Sequence, residues 1–444
     1  MMTKRLELGS TFRLAVPVII GQLGHVSMGI VDNVMVGRLG TVPLAAGALA
    51  NSLAFLVLVF GLGVSMGVTP LVAMADGAGD YKKAGRVLQQ GLRVCIAVGF
   101  LLMLVTVWLA LLIPYMKQEF EVAELAVDYL QVVGLSILPI MFFQAYRQFS
   151  EGLSQMWPPM VMVLVANVLN VLFNWVFIFG HWGFPALGLM GAGLSTFMNR
   201  VIMALAMMAY VRWAHSYRKY ISRRFFGAQD WTCIRRILKL GLPSGSQFFF
   251  ETAAFSGAAV MIGWLGAGPL AAHQIALSAA AVSYMFAVGI SAAASVRVGK
   301  EMGRNDMAAV RRAGFSGFAL AAGIMASFGV VFVLVRHVFP TYYIDDPAVI
   351  QLASSLMIIG ALFQVSDGTQ VTALGALRGM SDVKSPTVIT FVAYWVIGLP
   401  SGYIMAFPLG WGVHGMWLGF VIGLTTSAGL LARRFRRLSR VSVD

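Results

Sequence analysis

The chain has 444 residues, of which 59% are hydrophobic and only 11% charged, with a formal net charge of +14. A soluble domain carries about 25% charged residues, so a water-soluble fold of this length is excluded: there is too little polar surface to cover one. The positive excess would point to nucleic acid in a soluble protein, but here it is spread over short polar stretches between apolar runs, where membrane topology accounts for it.

The first residues, Met1 to Arg13, carry Lys4, Arg5 and Arg13 ahead of a long apolar run and show no small-residue cleavage site, so they read as a lead-in to the first span rather than a signal peptide. A membrane-crossing helix needs about 20 mostly apolar residues. Twelve such runs follow in order, beginning near Thr11, Leu44, Gln89, Ala123, Pro158, Ala186, Cys233, Pro269, Arg312, Ala348, Val383 and Trp411. The fold class this predicts is an all-α integral membrane protein. The polar, basic segment 214–232 is a linker, which leaves residues 1–213 and 233–444 as two six-helix lobes. Lys and Arg gather on alternate loops. One side takes Lys82, Lys83, Arg86, Arg93, Arg147, the linker's Arg218, Lys219, Arg223 and Arg224, then Arg297, Lys300, Arg304, Arg378 and the basic tail; the other has Arg38, Lys117 and Arg336. Such an asymmetry predicts both termini in the cytoplasm.

The chain also repeats itself. At an offset of 226, Pro17 meets Pro243, Leu39-Gly40 meets Leu265-Gly266, Pro43-Leu44-Ala45-Ala46 meets Pro269-Leu270-Ala271-Ala272, and Asp80 meets Asp306. With a slip of one, Gly152, Ser154 and Pro159 match Gly379, Ser381 and Pro386. Biased composition produces scattered Gly or Leu matches, but not Pro, Leu-Gly and Pro-Leu-Ala-Ala at one spacing. The halves are therefore predicted to be repeats in the same orientation, related by an axis along the membrane normal.

Ionisable residues inside the spans carry the sharpest functional signal, because a charge at bilayer depth costs at least about 2.5 kcal/mol. Three carboxylates sit there: Asp32, Glu251 and Asp367. Arg200 is the one intramembrane cation available to them. An unpaired carboxylate in a low-dielectric site is held protonated or with a bound cation, and either state suits coupling to H⁺ or Na⁺; the plainer alternative is a hydrogen bond to a neighbouring helix. Asn167, Asn170 and Asn174 lie on the fifth span, the last two four apart on one face. Their amide oxygens, with Thr196 from the sixth span, fit a hard-cation shell around Asp32, and equally fit interhelical hydrogen bonding. His25, two turns before Asp32, occupies the repeat position of Glu251 and reads as a packed, neutral histidine. Gly61, Gly63 and Gly67 sit inside a span with no preceding strand and do not make a phosphate loop. The 26 methionines and the aromatic residues suit a cleft that accepts many shapes, though most face lipid or other helices. Cys95 and Cys233 make neither a disulfide nor a metal site, and no catalytic signature is present, so an enzyme is not expected.

Nearly the whole chain resembles the multidrug and toxic compound extrusion (MATE) transporters, in their NorM-type branch. The resemblance is carried by Pro17 through Ala46 with its Val-Asp-Asn-Val-Met-Val-Gly-Arg-Leu-Gly core, by Glu151-Gly152 ahead of Pro158-Pro159, by Asn170 through Gly180, by Leu240-Gly241-Leu242-Pro243 and by Ala376-Leu377-Arg378-Gly379. It implies two six-helix lobes in a bacterial inner membrane, and export of small, mostly cationic organic molecules by a monomer, driven by Na⁺ or H⁺ and needing no cofactor. It also implies a coupling site at Asp32, Asn170, Asn174 and Thr196 in the first lobe and another at Glu251 and Asp367 in the second, the latter a Na⁺ candidate. Asp32, Glu251, Phe363 and Asp367 are the residues expected to line the substrate cleft. Phe363 stands where the family pattern has an aromatic hydroxyl, and Asn174 where another branch has Asp, which leaves the choice of ion open. The alternative is a flippase for a lipid-linked precursor from the same superfamily, for which Arg200 is the phosphate-binding candidate.

Overall fold

Every regular element is helical among the described residues of this computed structural model, which are 2–116, 118–221 and 227–440, with side chains from residue 7 onward. Lys117, Arg223 and Arg224, and the side chains of Lys4 and Arg5, lie outside them. Helices are what an apolar solvent dictates, because each backbone N–H and C=O must find its partner within the segment. The elements are α1 (Met2–Gly37), α2 (Thr41–Ser65), α3 (Val68–Gly77), α4 (Tyr81–Ala110), α5 (Phe120–Leu135), α6 (Ile137–Gly152), α7 (Trp157–Phe179), α8 (Gly188–Trp213), α9 (Trp231–Gly263), α10 (Ala267–Gly303), α11 (Met307–Val335), α12 (Pro347–Gly379), α13 (Lys384–Phe391), a π-helical turn (Val392–Gly398), α14 (Leu399–Ala406) and α15 (Gly412–Leu438). Because α2–α3, α5–α6 and α13–α14 each form one rod, the described residues make twelve rods, the number and order that the sequence predicts. Eleven are long and apolar enough to cross a bilayer. The twelfth is α9, whose middle carries Ser244, Ser246, Gln247 and Glu251.

Several helices begin before the apolar run does, and their caps explain why. The Asp80 carboxylate accepts from the Lys83 N–H (2.9 Å) and starts α4 at Tyr81, eight residues ahead of Gln89. Asp306 does the same for α11 through the Ala309 N–H (2.8 Å), starting it at Met307 rather than Arg312. Each cap satisfies one of the donors that a helix start leaves unpaired.

The backbone obeys the repeat where the sequence does. Gly40 and Gly266 share φ near +120° (122° and 116°), Gly79 and Asn305 take 73° and 58°, and Ser154 and Ser381 take 64° and 61°. Left-handed conformations are uncommon outside glycine, so their recurrence at the same offsets shows that the two halves share these backbone features. The rods differ in their interruptions. The first repeat breaks at Met66–Gly67 and again at Ser136, where its counterparts α10 and α12 run on; α7 is regular, whereas its counterpart contains the π-helical turn.

The chain divides into two compact units, Ile20–Gly245, and Met1–Ile19 with Ser246–Asp444, so the division falls inside α1 and inside α9. In the unit Ile20–Gly245, α4 and α8 pack on α6, α7 packs on α8, and α2 on α5. The first stretch of α9 approaches α2–α3 through glycines: Gly63 faces Gly245, and a Cβ on Gly67 would lie 2.6 Å from the Ile237 carbonyl oxygen and 2.8 Å from the Gly241 nitrogen. In the other unit α12 is the hub, packed on α10, α11 and α15. There the start of α1 is fastened by Arg297, which pairs with the Glu7 carboxylate and donates to the Glu7 carbonyl (2.9 Å), to Ser316 Oγ (3.0 Å) and to Thr11 Oγ1.

A side chain at Gly67 would meet the α9 backbone at Ile237 and Gly241 closer than a Cβ is found. Gly67→Val is expected to destabilise the protein by about 2 kcal/mol, read as a lowered thermal unfolding midpoint in detergent. An unchanged midpoint would contradict this packing.

Candidate functional site

The polar side chains that the apolar rods carry inward gather in two clusters, one in each compact unit. In the unit Ile20–Gly245 the centre is Asp32 on α1. Its Oδ1 accepts from Asn170 Nδ2 (3.0 Å) and from Asn174 Nδ2 (2.6 Å), both wholly buried on one face of α7. The amide N–H groups, rather than the amide oxygens, face the carboxylate; Asn174 Nδ2 also reaches Asn170 Oδ1 (3.4 Å). Thr196 is buried on α8 next to Ser195, whose hydroxyl donates to the Asn170 carbonyl (3.5 Å), but Thr196 itself is not hydrogen-bonded to Asp32. Asn167 turns back to its own helix, donating to the Val163 carbonyl (2.9 Å).

Arg200 completes this cluster. Its Nη1 donates to Ser136 Oγ (2.7 Å), and Ser136 is the wholly buried break between α5 and α6. The guanidinium acts electrostatically on Asp32 and on Tyr129, whose hydroxyl donates to Asn51 Oδ1 (3.2 Å), yet among the described residues no direct ion pair joins Arg200 to Asp32. Asp32 therefore has two hydrogen-bond donors and a nearby cation. His25 is not hydrogen-bonded to Asp32: its Nε2 is 3.4 Å from Arg147 Nη1, Arg200 acts on it through space, and Arg147 forms a buried ion pair with Glu151 (2.7 Å) one turn on. Arg147, counted with the loops in the sequence, is thus an interior residue of α6.

The second cluster lies in the other unit. Glu251 on α9 and Asp367 on α12 are 6% and 8% exposed and interact electrostatically. Glu251 Oε1 accepts from the Tyr394 hydroxyl (3.3 Å), and that hydroxyl accepts from Gln370 Nε2 (2.9 Å). No hydrogen bond reaches the Asp367 carboxylate among the described residues. Tyr284 on α10 and Arg378 in the last turn of α12 act on Glu251 through space, and the Arg378 guanidinium lies over the Phe248 ring (5.8 Å to the centroid). Phe363, one turn before Asp367, is 4% exposed and stacks on Trp417 (5.7 Å between centroids), whose indole N–H donates to His273 Nδ1 (3.1 Å). It belongs to the apolar packing behind the carboxylates.

The structure thus joins Asp32 to Asn170 and Asn174, and Glu251 to Asp367, as two separate groups, and keeps Thr196 and Phe363 beside them without a bond to either carboxylate. The sequence reading missed Tyr394, Gln370 and Tyr284. A lone Tyr or Gln in an apolar run was a visible signal. The register that aims Tyr394 at Glu251 was not, because it depends on one π-helical turn. Among the described residues no three His, Cys, Asp or Glu side chains form a group able to hold a metal ion, so a cation at either cluster has to be held with hydroxyl, amide or carbonyl oxygens as well. Cys95 and Cys233 are both free thiols.

Comparisons with known proteins follow the same lines. Residues 17–176 and 243–404 match the MatE family model. The chain is 37% identical over 450 residues to a Mesorhizobium japonicum protein named probable multidrug resistance protein NorM, covering 99% of this chain and 95% of that one. It is 36% identical over 442 residues to the multidrug resistance protein MdtK of Yersinia pseudotuberculosis, covering 98% and 96%. Its fold is similar to that of the eukaryotic MATE transporter AtDTX14, with a TM-score of 0.84 at 21% identity over 99% of both chains. It is also similar to an outward-facing multidrug resistance MATE family transporter, with a TM-score of 0.88 at 20% identity over 98% and 97%.

If the two amides hold Asp32, Asn174→Leu leaves a carboxylate one donor short and is expected to lower stability by about 2 kcal/mol. In a thermal-unfolding double-mutant cycle, Asn174→Leu should cost clearly less in an Asp32→Leu background than in the parent, although that background itself leaves Asn170 without its acceptor. Equal costs of Asn174→Leu in the two backgrounds would show that the pair is not coupled.

Proposed function

The chain belongs to the MatE family, and on that premise we propose that it is a secondary active exporter of small organic cations, driven by the return of Na⁺ or H⁺ through the Glu251–Asp367 site. The observation that carries this reading is the second cluster: two carboxylates, both more than nine-tenths buried and acting on one another, with no hydrogen-bond donor to Asp367 among the described residues. Two neighbouring carboxylates cannot both stay ionised and unpartnered in a low-dielectric site. A proton or a Na⁺ ion must neutralise one of them, and an organic cation can do the same. The names of the NorM and MdtK relatives support multidrug efflux as the physiological outcome.

The mechanism is competition. When the coupling ion occupies the carboxylates, one conformation is favoured; when a cationic substrate takes its place, the other is, and each ligand shifts the balance only by its difference in affinity for the two states. With both termini cytoplasmic in a bacterial inner membrane, as the basic loops argue, the membrane potential adds about 2.3 kcal/mol per charge per 100 mV to inward cation movement. In the first lobe, Asp32 with Asn170 and Asn174 is a second candidate site; its two amide donors and the nearby Arg200 already offset the charge there, so we assign the main coupling role to Glu251 and Asp367. The same observation weighs against a lipid-linked precursor as substrate. Arg147 is paired with Glu151, and Arg200 donates to Ser136 and acts on Asp32, so each guanidinium already serves a buried partner.

Everted membrane vesicles loaded with a fluorescent cation test the reading. Glu251→Gln and Asp367→Asn are each expected to reduce gradient-driven transport at least about tenfold, since removing an intramembrane charge abolishes the neutralisation step. Full transport in both variants would refute it. Imposing a Na⁺ gradient and a pH gradient separately identifies the ion.

A further inference from the structure

Among the described residues, Val392–Gly398 is the one π-helical turn. A single i→i+5 turn in an α-helical rod is rare and is frequently found at functional sites. Two consecutive side chains show what it gains here. Tyr394, 1% exposed, brings its hydroxyl to Glu251 Oε1 (3.3 Å), and the indole N–H of Trp395 donates to the Phe250 carbonyl (3.0 Å). The turn therefore clasps α9 at two adjacent residues, one of them the carboxylate. Behind Tyr394 stands Gln370, wholly buried on α12, one turn from Asp367. Its Nε2 donates to the Tyr394 hydroxyl (2.9 Å), while its amide oxygen is buried with no partner.

A primary amide carries a donor and an acceptor side by side, and a phenolic hydroxyl is both at once. We propose that Gln370 and Tyr394 form a two-way hydrogen-bond chain that positions Glu251 and follows its proton. With Glu251 ionised, the Gln370 N–H donates to Tyr394 Oη and the Tyr394 O–H donates to the carboxylate, as in this structure. With Glu251 protonated, the carboxyl O–H donates to Tyr394 Oη, the Tyr394 O–H turns round, and the amide rotates to present its oxygen. The only proton gained or lost is the one on Glu251; every other group keeps its own. Each state keeps the Glu251 carboxyl and the Tyr394 hydroxyl hydrogen-bonded, and the Gln370 oxygen, unpartnered among the described residues while Glu251 is ionised, gains a partner when it is protonated, in a buried place where an orphaned polar group is costly. A carboxylate holding Na⁺ stays ionised and has no use for the reversal, so the chain favours H⁺ as the ion read at Glu251. This inference rests on the coupling role proposed above and deepens it. The other titratable groups acting on Glu251 are Asp367 and Arg378 on α12 and Tyr284 on α10.

Difference infrared spectroscopy of the full-length protein in lipid nanodiscs, stepped through pH, tests the chain. The carboxyl band of Glu251 is identified by its loss in Glu251→Gln, and the side-chain carbonyl of Gln370 by its loss in Gln370→Leu. In the parent protein, protonation of Glu251 is expected to shift the Gln370 carbonyl band to a hydrogen-bonded frequency. In Tyr394→Phe that shift disappears, the Glu251 band moves toward the frequency of a free carboxyl, and its midpoint moves up by about one pH unit as the carboxylate loses its donor. A Gln370 band that ignores the protonation of Glu251 overturns the proposal using the parent and Gln370→Leu alone, even where Tyr394→Phe fails to fold. So does a Glu251 band unaltered in a folded Tyr394→Phe. The coupling reading fails by a different result, full transport in Glu251→Gln.

Discussion

Lipid offers no hydrogen bonds, so every polar group that these helices carry inward must find its partner inside the protein or do without. That constraint organises the molecule. Backbone groups answer it by forming helices throughout. Asp32 answers it with two asparagine amides, Glu151 with Arg147, and Arg200 with the hydroxyl at a helix break. Glu251 is answered in part, by one tyrosine hydroxyl and, through space, by the Arg378 guanidinium. Among the described residues Asp367 is left without a donor, and an unanswered charge in an oily setting is where a mobile ion has most to gain. The order of satisfaction among the carboxylates, more than their mere presence, ranks them as coupling residues.

The repeat supplies two copies of one scaffold, and function shows in the departures. His25 stands at the position of Glu251, Ala258 at that of Asp32, and Asn167 at that of Tyr394 after the slip of one. The two clusters are therefore not relics of a single ancestral site. Each uses its own positions on the shared set of rods. The interruptions are equally unmatched, with Ser136 breaking one rod to receive Arg200 and the π-helical turn distorting another to aim Tyr394. In both instances irregular backbone occurs beside a charged side chain, where the cost of distortion is offset by a bond that regular geometry would not reach.

Much of this was legible in the sequence, for physical reasons. Twenty apolar residues in a row have few alternatives to a membrane helix, so the rods and their order follow directly. Asp32, Glu251 and Asp367 stand out because the surrounding composition makes each a costly choice. Boundaries were less legible: Asp80 and Asp306 extend α4 and α11 into polar sequence, where hydropathy is silent and capping decides. Arg147 and Arg378 read as loop residues because they lie near run ends, yet 7% exposure of each puts them inside. The direction in which an amide points, and the register of a π-helical turn, depend on partners more than a hundred residues away and leave no local trace.

The fastening of Glu7 and Thr11 to Arg297 has a consequence for how the protein is made. These partners are separated by up to 290 positions along the chain, so at ribosomal rates of about 5–20 residues per second the leading helix waits roughly 15–60 s for its partner to be synthesised. During that interval only the first turns of α1 wait, because Asp32 farther along it meets Asn170 and Asn174 much sooner, so the helix is fixed in two stages. The unit that holds the first residues is also the last to be finished.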